Sequence, residues 1–461
     1  MTPEIPKYAP VETAVELLRG LGGQFAVVSN PQYVFPPYDL YPFAPPAAEL
    51  REGLFGAVMD MDGTTTTTEP LCIHSLETMV RRITNRPTKG VWSGLDQARD
   101  YPHIIGNSTT KHVEYLIQTY GSHISLDAVR AWHIRAAAWT LGQGADEGRR
   151  REVRSNVLAL GAGALLDDRR FHALMVGAVE GSNADTLVGG LVAQFGSAYA
   201  IDQTPALVRL SVDIYYQRYH EILARIEAGE GEDVAASVLG QSGGNLIEPM
   251  PGVGVYLALI KGWLGADAQG CAPALVAHLQ KTGDAEGVDL KGAAELLRTL
   301  GAHFAAHPAR AAIVTSSIEY EAGIVLGEVF RILQDEVDDW DIPAEKRAFI
   351  RQGFADPLAF YNGFITASDS SEIRLKPHRD LYSLALYRIG ILPQDFANVA
   401  GFEDSESGTI AIRAAGIPLC CALPFHMTRG HTFHAATHTC PGGLPEVILR
   451  HRAFLPAGLV L

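Results

Sequence analysis

The sequence predicts an α/β protein, a parallel sheet whose first and second strands are separated by a large helical insertion. Three observations predict it. Five short apolar runs, Leu54 to Met59, Ala311 to Val314, Gly363 to Thr366, Asn398 to Gly401 and Pro418 to Leu423, have strand character, and each leads into a polar or helix-like segment. Strands alternating with helices build a parallel sheet covered on both faces. Between the first two runs lie roughly 250 residues that read mainly as helices. Finally, residues able to do chemistry recur directly after these runs, where open α/β sheets bind their ligands.

In chain order, residues 1–50 read as an arm over the core. A helix over Val11 to Leu21 precedes QFAVVSN and the proline- and aromatic-rich YVFPPYDLYPFAPP. The split core takes residues 51–70 and 250–461, the helical insertion 71–249, and an extra helical insertion in the core 265–300. Helices are expected over Thr109 to Tyr120, Leu126 to Trp139 and Ala206 to Ala228, with glycine-rich loops near Gly161 and Gly240.

Composition narrows the function. The 461 residues are 47% hydrophobic, enough for a large core and more than one domain. A net charge of −15 disfavours nucleic acid and anionic membrane as partners, because both need clustered positive charge. No apolar run approaches membrane-spanning length, and MTPEIPKYAP lacks the pattern of a secretory signal, so the expected location is cytoplasmic. Five cysteines in this length read as buried, reduced thiols.

Four groups carry the chemistry. Asp60-Met61-Asp62-Gly63-Thr64 follows the first strand. Two carboxylates two residues apart can divide a task, one attacking phosphorus and the other protonating a leaving oxygen and later deprotonating water. Thr315-Ser316-Ser317 follows the second strand. Its hydroxyls and turn N–H groups can hold phosphate oxygens, or Ser317 can cap the helix that follows. Lys376 can pair with both a carboxylate and a phosphate. Glu403 and Asp404, after the fourth strand, can bind Mg²⁺, or form an acidic loop that caps the helix beginning near Ser407.

These four groups, in this order and each at a strand end, resemble the haloacid dehalogenase superfamily of phosphohydrolases. The resemblance is closest to its β-phosphoglucomutase-like branch. It covers about residues 54–75, 245–264 and 305–450 and includes TTEPLCIH, EPMPGVGVYLALIKGW, ITASDSSEIRLKPHRDLYSLAL and GFEDSESGTIAIRAAGIP. It implies a Rossmann-like sheet of order 3-2-1-4-5 with an α-helical cap domain. It implies Asp60 as nucleophile and Mg²⁺ ligand, and Asp62 as general acid/base whose carbonyl also binds metal. Thr315 and Ser316 would hold phosphate, and Gly63, Thr64 and Ser317 would join them as phosphate-binding residues. Lys376 would balance charge, Asp404 would hold Mg²⁺, and Glu403 would do so directly or through water. IIGNSTTKHVEYLI resembles the substrate loop of the cap, which implies Asn107, Ser108, Thr109 and Lys111 as substrate contacts.

Three departures limit the transfer. Thr67 stands where the family often has an acidic hinge residue. Thr109 stands where the mutase has an arginine for a second phosphate. The insertion is also far larger than usual. The expected activity is a magnesium-dependent phosphatase acting on a small phosphorylated metabolite; a phosphosugar mutase and a non-catalytic phospho-ligand binder are the alternatives. His426, His431, His434, His438 and Cys440 match no compact zinc spacing. Arg149-Arg150-Arg151 reads as a solvated helix face.

Overall fold

The structure, a computed structural model, describes residues 8–30, 34–86, 90–105, 108–201, 204–369, 372–428, 430–451 and 454–455. The chain divides into two compact units. One comprises Met1–Thr67, Pro249–Ala322 and Val329–Leu461, the other Thr68–Glu248 with Gly323–Glu328.

The first unit holds the strands β1 (Phe25–Ser29), β2 (Tyr38–Pro42), β3 (Gly56–Asp60) and β4 (Thr66–Thr67). The chain returns through β5 (Glu248–Pro249). It continues with β6 (Arg310–Val314), β7 (Gly363–Ile365), β8 (Val399–Glu403), β9 (Leu419–Ala422) and β10 (His438–Thr439). Six strands form one sheet in the order β10-β9-β8-β3-β6-β7, and every neighbouring pair is parallel. Counted along the sheet strands alone, this is the expected 3-2-1-4-5 order with a sixth strand at the edge. β3 is central, and all of its residues are buried, as are all of β8. Such uniformly buried strands, apolar up to the terminal Asp60 and Glu403, are what a sheet covered on both faces requires. On one face Val58, Val314, Ile365, Val399 and Cys420 meet Leu381, Leu386 and Ile412 from the crossover helices.

Helices build the added segment after β5. Leu290–Ala306 starts at Asp289, whose side chain accepts from Gly292 N, and buries Ala293, Leu297, Leu300 and Phe304 along one stripe. The chain leaves this unit at Thr67 and returns at Pro249. Met250 N donates to Thr65 O at 2.9 Å, so departure and return lie side by side.

The described residues of the N-terminal segment include more strand than its sequence suggested. β1 and β2 form an antiparallel hairpin, with Ala26 opposite Tyr41 and Val28 opposite Asp39. Ala26, Val28 and Tyr41 pack on Ala414, fixing the hairpin to the helix Glu406–Ala414.

The second unit is helical. Its longest helix, Thr204–Glu227, buries Val208, Leu210, Ile214, Leu223 and Ile226, and also Asp213. Asp213 corrects the reading of the arginine triplet. Arg149 donates to Asp213 Oδ1 at 2.7 Å and is buried, while Arg150 and Arg151 are exposed. His133 and Asn156 complete the cluster on Asp213 at 3.1 Å and 2.9 Å. No helix among the described residues is long and apolar enough to cross a membrane.

Candidate active site

Asp60 is the last residue of β3, so the buried strand delivers its carboxylate to the carboxyl edge of the sheet. A compact turn follows. Thr65 N and Thr66 N both donate to Met61 O, Gly63 N donates to Thr66 O, and Thr65 Oγ1 donates to Asp60 O. The threonine run therefore closes the turn, a role that repetition in the sequence hides. Gly63 has φ +83°, and a Cβ there would lie 2.4 Å from Asp404 Oδ2. Only glycine lets the turn approach that carboxylate.

The neighbouring strands add the remaining groups. Thr315 follows β6, and its Oγ1 donates to Asp62 Oδ2 at 3.3 Å. Ser317 Oγ reaches the same oxygen at 3.4 Å, and Ser317 N donates to Thr315 Oγ1 at 3.0 Å. Ser316 is exposed beside them. Ser317 is thus not the cap of the next helix. That helix begins at Glu319, whose N–H donates to Ser368 Oγ.

Lys376 Nζ bonds Asp60 Oδ1 and donates to Glu403 Oε1 at 2.7 Å. Glu403 is gripped on both oxygens. Tyr382 OH joins Lys376 on Oε1, and Asp404 N, Ser405 N and Ser405 Oγ donate to Oε2. Ser405 Oγ also accepts from Gly408 N as the helix N-cap, the function the sequence expected near Ser407. Tyr382 is a site residue that the sequence reading missed. It lies six positions beyond Lys376 on a helix, with no local pattern to mark it.

Charge decides what the site can hold. Burial, then the Glu403 carboxylate, pushes the Asp60 pKa well up, against the pull of Lys376. Burial works against the Lys376 ammonium too, but Asp60 and Glu403 outweigh it and raise its pKa. Oxygens of Asp60, Glu403 and Asp404 lie within 4.8 Å of one another, all three residues buried, with one ammonium among them. Such an excess of hard oxygen donors fits a small divalent cation. Thr64 Oγ1 is buried without a partner in the same turn, an unused polar atom at the edge of the cluster.

The residues expected to contact substrate from the insertion belong to the second unit. Asn107 lies outside the described residues. Ser108 is the N-cap position of the helix Thr109–Tyr120, Thr109 Oγ1 accepts from Tyr216 OH at 3.2 Å, and Lys111 is exposed.

No protein-family model and no curated protein matches the chain. Among solved structures it is similar to CbbY from Rhodobacter sphaeroides in complex with phosphate, at 14% identity and TM-score 0.36, covering 86% of this chain and 96% of that one. A protein described as a beta-phosphoglucomutase from Thermotoga maritima is 14% identical at TM-score 0.29, covering 86% and 97%. Another, described as a phosphoglycolate phosphatase from Lactobacillus delbrueckii subsp. bulgaricus, is 14% identical at TM-score 0.32, covering 87% and 99%. Those TM-scores are low, and the fold assignment rests on the sheet itself: its strand order, 3-2-1-4-5 with a sixth strand at the edge, is that of a Rossmann-like parallel α/β sheet.

Proposed function

We infer that the chain is a phosphoryl-transfer hydrolase, a phosphatase that cleaves a small phosphate monoester through an aspartyl-phosphate. The observation that supports this reading is the difference in surroundings between two carboxylates. Asp60 is buried and bonded to Lys376, whereas Asp62 is only half-buried and bonded to two hydroxyls.

The Asp60 carboxylate attacks phosphorus. Lys376 offsets the charge that gathers there, and its bond to Glu403 keeps the ammonium in place. Thr315, the Ser316 N–H and Ser317 hold phosphate oxygens beside Gly63 and Thr64. Asp62 gives its proton to the leaving oxygen, then takes one from the water that hydrolyses the intermediate. Its partial exposure lets it exchange that proton with solvent. Asp60, Asp404 and the Asp62 carbonyl would hold Mg²⁺, with Glu403 reaching it directly or through water; the ion supplies positive charge against the phosphate.

Substrate choice falls to Asn107, Ser108, Thr109 and Lys111. Their polar character with few positive charges suits a phosphorylated metabolite with hydroxyls and one phosphate, such as a sugar phosphate. The enzyme is expected to act in the cytoplasm.

The test is a magnesium-dependent assay with p-nitrophenyl phosphate, followed by a panel of phosphorylated metabolites. Turnover that requires Mg²⁺ and releases phosphate supports the reading. Binding of phosphate without turnover on any ester would reduce the chain to a binder.

A further inference from the structure

The loop carrying Lys376 runs from the end of β7 at Ile365 to the helix Asp380–Arg388. Its described residues form neither helix nor ladder. Outside a helix or ladder, it is held by a few turn bonds, such as His378 N to Leu375 O at 3.1 Å, and by the contacts its side chains make elsewhere. Yet this loop must keep an ammonium between two buried carboxylates.

Arg374 and His378 stand two residues to either side of Lys376, and both end on one atom outside the loop, the hydroxyl of Tyr41 in β2. Arg374 Nη1 donates to that oxygen at 3.0 Å, and His378 Nδ1 lies 2.7 Å from it. The hydroxyl also reaches Asp39 Oδ2 at 3.3 Å. The Tyr41 ring meets the His378 ring edge-on, centroids 5.3 Å apart. Arg374 is held from its other side by both oxygens of Asp380, at 3.0 and 3.1 Å.

Tyr41 is itself firmly placed. It is 7% exposed, faces Ala26 across the hairpin and packs with Ala26 and Val28 on Ala414. Just beyond it, Ala44 N donates to Arg413 O at 3.0 Å and Arg413 Nη2 returns a bond to Ala44 O. The hairpin is therefore tied to the helix that follows Glu403 and Asp404, and through Tyr41 to the loop of Lys376. Tyr41 lies outside all four strand-end groups.

We propose that Tyr41 is a positioning residue. It clamps the loop on both sides of Lys376 and so fixes the ammonium against Asp60 and Glu403. The proposal rests on the reading of Lys376 as a group that serves Asp60 in phosphoryl transfer.

The experiment compares Tyr41→Phe, His378→Phe, the double variant and Lys376→Ala in the full chain, with p-nitrophenyl phosphate at saturating Mg²⁺. Tyr41→Phe keeps the ring and its packing and removes only the hydroxyl. The expected result is a fall of about tenfold in kcat, with KM within about twofold of wild type and a Tm within a few degrees of it. The double variant should be no slower than Tyr41→Phe, because both changes cut the same clamp. Should Tyr41→Phe be insoluble, His378→Phe, which cuts one of the two loop contacts to the hydroxyl and leaves that of Arg374, carries the same split between kcat and KM with a smaller fall in kcat. A wild-type kcat for Tyr41→Phe beside an inactive Lys376→Ala overturns the clamp and leaves the site reading standing. Wild-type turnover by Lys376→Ala overturns the site reading, and the clamp with it. A loss that merely tracks the unfolded fraction also overturns the clamp.

Discussion

Single atoms in the site have uses that nearby substitutes cannot supply. Asp60→Asn keeps size and hydrogen-bonding capacity but cannot attack phosphorus. Turnover should fall by at least about 10³-fold while the folded protein persists. Burial raises the Asp60 pKa, so removing its charge should not lower the Tm. Steady-state kinetics beside a thermal melt checks both halves, and a few per cent of residual activity in a clean preparation would remove Asp60 from the nucleophile role. Gly408 is a second case. A Cβ there would lie 1.7 Å from Glu403 Oε1, inside the carboxylate that Lys376, Tyr382 and Ser405 hold. Gly408→Ala should destabilise by about 1–3 kcal/mol through overpacking, measured by urea denaturation, and should slow turnover by displacing Lys376. Unchanged stability would mean that Glu403 has room to move.

Among the elements, the helix Thr204–Glu227 shows how packing reassigns residues that look alike in sequence. Arg149, Arg150 and Arg151 are locally equivalent, but only Arg149 has the helical phase that brings it to Asp213, 64 positions away. Arg149→Met removes the cation from a carboxylate that is completely buried. It should cost about 3–5 kcal/mol, seen as a lower denaturation midpoint, because Asp213 is left without its main counter-charge. A loss below about 1 kcal/mol would show that His133 and Asn156 suffice. Elsewhere the elements were legible. The apolar runs appear as β3, β6, β7, β8 and β9, and helix Val11–Leu21 has the bounds its sequence pattern suggested. Three of the four groups were legible because they follow an apolar run directly; Lys376 lies further along, in the loop between β7 and the helix Asp380–Arg388. The hairpin β1–β2 was not. Its second strand lies in a proline- and tyrosine-rich segment, and only pairing with β1 makes it a strand. Ser317 was ambiguous for a similar reason, since a hydroxyl before a helix is as apt for a cap as for a phosphate. The helix that starts at Glu319, with Ile318 at its N-cap position and no side-chain cap, removes the first of these.

For the molecule as a whole, two compact units in one chain mean that unfolding need not be a single transition. The acidic cluster of Asp60, Glu403 and Asp404 belongs to the first unit. Mg²⁺ binding there should stabilise that unit by about 2.7 kcal/mol when the free ion stands at 100 times its dissociation constant. Calorimetry with and without Mg²⁺ should show the shift, and Asp404→Ala should abolish or greatly reduce it. An equal shift in that variant would move the ion elsewhere. The hydrogen bond from Met250 N to Thr65 O has a different consequence. For the core, the residues between Thr67 and Pro249 are one insertion whose two ends are held together by that bond. Its length scarcely enters the loop-closure entropy of the core, because each doubling adds only about 0.6 kcal/mol. The same core could carry a domain swollen by several helices, as here, or one pruned to a few, with Asp60 left in register between β6 and β8.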